Sequence, residues 1–82
     1  MTYSEIETAV KDILAKHLTM DVQKITLESR LVEELGLDSF GSVEVAFELE
    51  EKFDLKIPDS ALYEAKTVKH IVDYIASQKI TI

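Results

Sequence analysis

Eighty-two residues suffice for one domain but not for a deep core, since a chain of this size buries only roughly 60% of the surface its unfolded form exposes. That leaves little room for an enclosed catalytic cleft with several converging polar groups, so one non-enzymatic domain over residues 1–82 is expected. Sixteen acidic against nine basic residues give a formal charge of −7, which repels nucleic acid and anionic membrane and attracts basic proteins.

The charge is uneven. Between Glu28 and Glu64 stand eleven acids and three bases, a net of −8, while the rest of the chain is close to neutral. A general need for solubility explains the sign of the charge but not its concentration. Without cysteine there is no disulfide, thiolate metal site or cysteine nucleophile. The first residues contain no basic segment followed by an apolar run, and no later stretch is apolar over a membrane-spanning length. A soluble, cytoplasmic protein without membrane insertion is expected.

Ser4 and Glu7 have the spacing of a capping box and predict a first helix starting near Glu5. Ile6, Val10, Ile13, Leu14 and Leu18 follow at helical spacing as a core face, with Glu5, Lys11, Asp12 and Lys16 turned outward. His17 has no second histidine or carboxylate at ligand spacing and reads as an edge histidine rather than a metal ligand. From Thr19 to Asp38 runs a long connection carrying Val22, Ile25, Leu27, Leu31, Leu35 and Leu37. Leaving such side chains exposed forgoes roughly 1.5 to 3 kcal/mol each, so the connection is expected to pack across the helices, with Asp21 starting a short turn. Gly36, between two leucines, serves either a left-handed turn or a close backbone approach.

Asp38 and Ser39 both cap helix N-termini well, and one cap suffices, so the other side chain is free to point outward. In the helix that follows, to about Phe53, the apolar residues fall into two stripes. Val45, Ala46, Leu49 and Phe53 make a core face. Phe40, Val43 and Phe47 run on from Ser39 along a neighbouring side, bordered by Glu44, Glu48 and Glu51. Periodicity alone allows a wide core face with a solvated acidic side; the serine at the head of the stripe favours a docking surface. The helix ends before Asp54, and Ile57-Pro58-Asp59 breaks the chain again. Asp59 or Ser60 can cap a short third helix through Leu62 and Ala65. Thr67 caps a fourth, with Val68, Ile71, Val72 and Ile75 inward, Lys79 at its negative end and His70 standing alone. The predicted fold is all-α, a small four-helix bundle with a long first loop and a short third helix.

No catalytic set stands out. Ser39 has no histidine nearby in sequence, neither His17 nor His70 has an orienting acid at suggestive spacing, and the carboxylates are too numerous to single out an acid–base pair.

Leu35-Gly36-Leu37-Asp38-Ser39-Phe40 resembles the Leu-Gly-x-Asp-Ser-Leu motif of acyl carrier proteins, whose serine carries a 4′-phosphopantetheine arm through a phosphodiester. The resemblance continues through Val43-Glu44, Glu48 to Phe53, Ile57-Pro58-Asp59, Thr67-Val68 and Ile71 to Ile75, covering most of the chain in register. It implies that Ser39 is the attachment residue, flanked by Asp38, and that Glu44, Glu48 and Glu51 meet basic patches on partner enzymes; the stripe of Phe40, Val43 and Phe47 is expected to supply the apolar contact. The implied partners are a phosphopantetheinyl transferase and enzymes that load, process and unload acyl groups in fatty acid, polyketide or related metabolism, served by a monomer. Phe40 replaces the usual leucine and Gly41 a usual acid, which is similar to D-alanyl carrier proteins and leaves an aminoacyl cargo open. An unmodified acidic interaction module and a small hydrolase using Ser39 are the remaining alternatives.

Overall fold

In the computed structural model, which describes residues 2–58, 61 and 64–79, helix α1 spans Tyr3–Leu18 and starts earlier than the Ser4–Glu7 spacing suggests. The capping box is Thr2 with Glu5: Glu5 N–H donates to Thr2 Oγ1 (3.2 Å) and Thr2 N–H donates to Glu5 Oε1 (2.8 Å). Both pairs have box spacing. The earlier start puts Tyr3 inside the helix, where its hydroxyl donates to Asp73, and leaves Glu7 to pair with Lys11 one turn on. Ile6, Val10, Ile13 and Leu14 are buried, as the period predicts, while Leu18 is half-buried. At Thr19 the backbone turns left-handed (φ 53°) and its N–H closes onto Ala15 O, ending the helix.

Helix α2 spans Ser39–Phe53 and helix α3 spans Val68–Lys79. Their buried residues are those the periodicity assigns: Val45, Ala46, Leu49 and Phe53 from α2, and Val68, Ile71, Val72 and Ile75 from α3. They pack with the α1 face and with Ile25, Leu31, Leu37 and Ile57 into one core. The fold is all-α: the described residues contain no strand, only a single antiparallel bridge between Arg30 and Thr67. The short third helix expected from Asp59 or Ser60 to Ala65 falls largely on residues 59–60 and 62–63, outside the described residues; beside them, Ala65 N–H donates to Ala61 O (3.1 Å).

The long connection packs as its aliphatic content requires. Asp21 caps a 3-10 turn, Val22–Lys24, by accepting from Gln23 N–H (2.9 Å). Ile25, Leu31 and Leu37 are buried, and Leu27 and Leu35 are half-buried against the core. Val22, expected to pack, is exposed: the turn occupies three residues, and Ile25 immediately after it takes the inward place.

The connection also completes α3. Side-chain capping by Thr67 is the sequence expectation, but the free N–H groups at this helix start go to loop backbone: Val68 N–H donates to Ser29 O (3.1 Å) and Lys69 N–H to Leu27 O (2.9 Å). Leu31 N–H returns the link by donating to Lys66 O (3.0 Å). His70 does not stand alone either. Its Nδ1 accepts from the backbone N–H of Lys66 (3.0 Å) and Thr67 (3.3 Å), and because those donors are fixed, Nδ1 must be the acceptor nitrogen. Ser29, buried, keeps its Oγ satisfied by accepting from Thr26 N–H (3.0 Å).

The first and last helices are clasped by Tyr3 and Asp73. The hydroxyl donates at 2.6 Å, which, with burial and the negative charge nearby, pushes the phenol up to about 12 from its ordinary 10.0. Asp73 is held below the usual carboxylate range, first by Lys69 (2.7 Å) and then by Tyr3. The signs follow by linkage. The protonated phenol adds stability that is fully present below its ordinary value of 10.0 and is lost as pH rises through about 12. The ionised Asp73 adds stability present above the usual carboxylate range and lost as pH falls through its lowered value. Spectrophotometric titration is expected to show a phenol step near pH 12 that Tyr3→Phe removes. The same variant should lose about 1 kcal/mol in urea unfolding at neutral pH, a difference that shrinks in acid as Asp73 takes up its proton.

Candidate functional site

Between Arg30 and Leu37 the chain closes on itself. Glu34 and Leu35 N–H both donate to Arg30 O, Gly36 N–H donates to Val32 O (3.1 Å), and Leu37 N–H donates to Leu31 O (2.8 Å). Gly36 lies at φ +72°, and a Cβ built there meets nothing within 4 Å, so glycine is required for backbone conformation rather than for space. Leu37 then enters the core and fixes where the chain emerges.

Asp38 is the N-cap of α2. Its Oδ1 accepts from Gly41 N–H (2.6 Å), and its carbonyl accepts from both the N–H and the hydroxyl of Ser42 (2.9 Å each). Of the two adjacent cap formers, the aspartate therefore does the capping. Ser39, the first residue of α2, is exposed, and its hydroxyl has no capping duty. Gly41 has a packing role that sequence reading missed: a Cβ there would lie 3.1 Å from Asp38 Oδ1 and 3.1 Å from Leu37 Cδ1, so its absence lets the cap and the buried leucine close on the helix. Beside Ser39 lies an open cleft of ≈ 260 Å³, walled chiefly by His17, Leu18, Leu37, Phe40 and Glu44.

The two stripes of α2 separate as their spacing predicts. Val45, Ala46, Leu49 and Phe53 are buried, whereas Phe40, Val43 and Phe47 are 73%, 53% and 63% exposed. Three large apolar side chains so exposed on one helix, directly after the serine, are not core residues. Glu44 and Glu51 are exposed beside them.

Glu48 differs from the other two acids. Its Oε1 accepts from Lys16 Nζ (3.0 Å) and from His17 Nε2 (2.9 Å), tying α2 to α1. Lys16, and after it His17, holds the Glu48 carboxyl below its usual range against the opposing effect of burial. His17, read from sequence as partnerless, has a carboxylate partner thirty-one residues away, a pairing that local spacing cannot reveal. Val32, 66% exposed within the Arg30–Leu37 loop, is a further feature without a periodic signal. Among the described residues no group of three or more histidines and carboxylates is placed to hold a metal ion.

The arrangement suits a covalent attachment point: an exposed hydroxyl that caps nothing among the described residues, at the start of a helix, next to an open cleft and an apolar face. A family model described as "Phosphopantetheine attachment site" matches residues 8–75. The acyl carrier protein of Syntrophobacter fumaroxidans (strain DSM 10017 / MPOB) is 40% identical over 79 residues, covering 96% of this chain and 98% of that one. These matches define a phosphopantetheine-binding carrier, a protein that works with acyl-processing enzymes and is not itself an enzyme. The chain belongs to the acyl carrier protein family. No helix among the described residues is long and apolar enough to cross a membrane.

The two neighbouring side chains are separable by stability. Asp38→Ala is expected to lower unfolding free energy by about 0.5 to 2 kcal/mol through loss of the cap. Ser39→Ala should stay within about 0.5 kcal/mol of the parent. Urea unfolding followed by circular dichroism measures both, and equal losses would mean that the serine shares the structural role.

Proposed function

We propose that Ser39 is the residue to which the phosphopantetheine arm is attached. The observation that carries this is the division of labour at the start of α2, where Asp38 caps and Ser39 is exposed. A phosphopantetheinyl transferase acts on coenzyme A: the Ser39 Oγ–phosphorus bond forms, the pyrophosphate bond breaks, adenosine 3′,5′-bisphosphate leaves, and the serine proton passes to the transferase. The phosphodiester then lies near the positive end of the α2 dipole. When bound, the arm supplies a thiol that holds acyl groups as thioesters.

The chain's own residues supply presentation and encounter. Glu44 and Glu51 steer basic patches of partner enzymes towards α2, and Phe40, Val43 and Phe47 make the apolar contact once they arrive. Glu48, occupied by Lys16 and His17, steers less than its two neighbours. The partners we assign are the transferase and the acyl-loading and acyl-processing enzymes of fatty acid, polyketide or related acyl metabolism, met by a monomer in the cytoplasm. Ser39, its Asp38 cap and the exposed residues Phe40, Val43, Glu44, Phe47 and Glu51 all sit on α2 or the loop before it, which supports a single carrier domain.

Intact mass spectrometry after incubation with a phosphopantetheinyl transferase and coenzyme A tests the attachment. One phosphopantetheine should be added to the parent and none to Ser39→Ala; equal addition to both would place the arm elsewhere. Glu44→Lys with Glu51→Lys should lower transferase kcat/KM roughly tenfold or more at low ionic strength, with the gap narrowing as salt screens the field. Rates unchanged by the double reversal would remove steering from the account.

A further inference from the structure

Outside the face just described, a groove of ≈ 490 Å³ runs between the Arg30–Leu37 loop and the start of α3, lined by Arg30, Val32, Glu33, Ala65, Lys66 and Thr67. Two features set it apart. Its floor includes Val32, which the fold leaves 66% exposed. Its walls carry two cations, Arg30 and Lys66, against one carboxylate, in a protein whose net charge is −7. Glu33 Oε2 accepts from Arg30 Nη1 (2.7 Å), which leaves most of the guanidinium's five N–H donors unused by that pair. Among the described residues Lys66 forms no ion pair with a carboxylate.

The groove is also near the serine. Leu37 N–H bonds Leu31 O (2.8 Å), and Leu31 N–H bonds Lys66 O (3.0 Å), so Ser39 is two residues and two backbone-to-backbone steps from Lys66. At no more than about 3.6 Å per residue and roughly 5 Å per step, that is within about 18 Å. An extended phosphopantetheine is about as long as five or six extended residues, roughly 18 to 21 Å. Its thiol end can therefore reach the groove, and a short flexible tether presents the attached group at an effective concentration in the millimolar range. A shallow groove with millimolar affinity would then be about half filled.

We infer that this groove holds the acyl end of the arm when the acyl group is short and ends in a carboxylate, with the methylenes on Val32 and Ala65 and the carboxylate between Arg30 and Lys66. The inference rests on the attachment at Ser39 proposed above. It also names a cargo class: the two cations oppose an ammonium-bearing aminoacyl group, and an uncharged chain gains nothing from them.

The arm can be transferred already loaded, from succinyl-, butyryl- and β-alanyl-coenzyme A, to the 15N-labelled apo protein. The succinyl form should shift the amides of Val32, Lys66 and Thr67 relative to the unloaded holo protein, and the butyryl and β-alanyl forms should not. Arg30→Gln with Lys66→Gln, or high salt on the parent protein, should abolish the succinyl shifts. Equal shifts for succinyl and butyryl, or succinyl shifts that survive both the double variant and salt, overturn the groove's preference. Failure of any arm to add mass at Ser39 overturns the attachment and the groove with it, whereas an attached arm with unmoved amides overturns the groove alone.

Discussion

The backbone stitching between the long connection and the start of α3 is the constraint on which the rest depends. Leu31 N–H to Lys66 O, Val68 N–H to Ser29 O and Lys69 N–H to Leu27 O tie a segment without long helix or strand to the last helix. A loop of this length would otherwise lose too much conformational entropy to hold one path. The bonds also satisfy the N–H groups that α3 would leave free, so one set of contacts serves both partners. Burial of Ile25, Leu31 and Leu37 adds the apolar share of the anchoring.

That anchoring lets α2 carry two faces at once. Its inner stripe joins the core, and because Leu37 is fixed just before it, the helix cannot rotate to bury Phe40, Val43 and Phe47 instead. The exposed apolar stripe is thus maintained by the positions of its neighbours. Asp38 at the helix start works to the same end: a carboxylate that caps Gly41 N–H removes the need for Ser39 to do so. Presentation of the hydroxyl follows from assigning the structural duty to the adjacent side chain.

Much of this was legible in the residues and some was not, for a consistent reason. Side-chain periodicity reports which face is buried, so the core faces of the three described helices are readable from spacing, whereas the exposed stripe of α2 needs the serine at its head to be told from a wide core face. Capping chemistry marks Asp38 and Ser39 as cap formers but leaves open which of them caps; the fold decides for Asp38. Pairings between distant residues are not. His17 with Glu48, His70 with the N–H groups of Lys66 and Thr67, and Tyr3 with Asp73 depend on how the helices cross. The start of α1 is ambiguous in the sequence because two boxes of equal spacing overlap at Thr2 and Ser4. Backbone bonds such as Lys69 to Leu27 use groups that every residue possesses, and so leave no trace in the sequence.

The path from Leu27 to Lys69 has a temporal side. During synthesis the serine emerges well before the residues that stitch its loop in place, so a nascent chain lacking α3 has the hydroxyl but not the geometry around it.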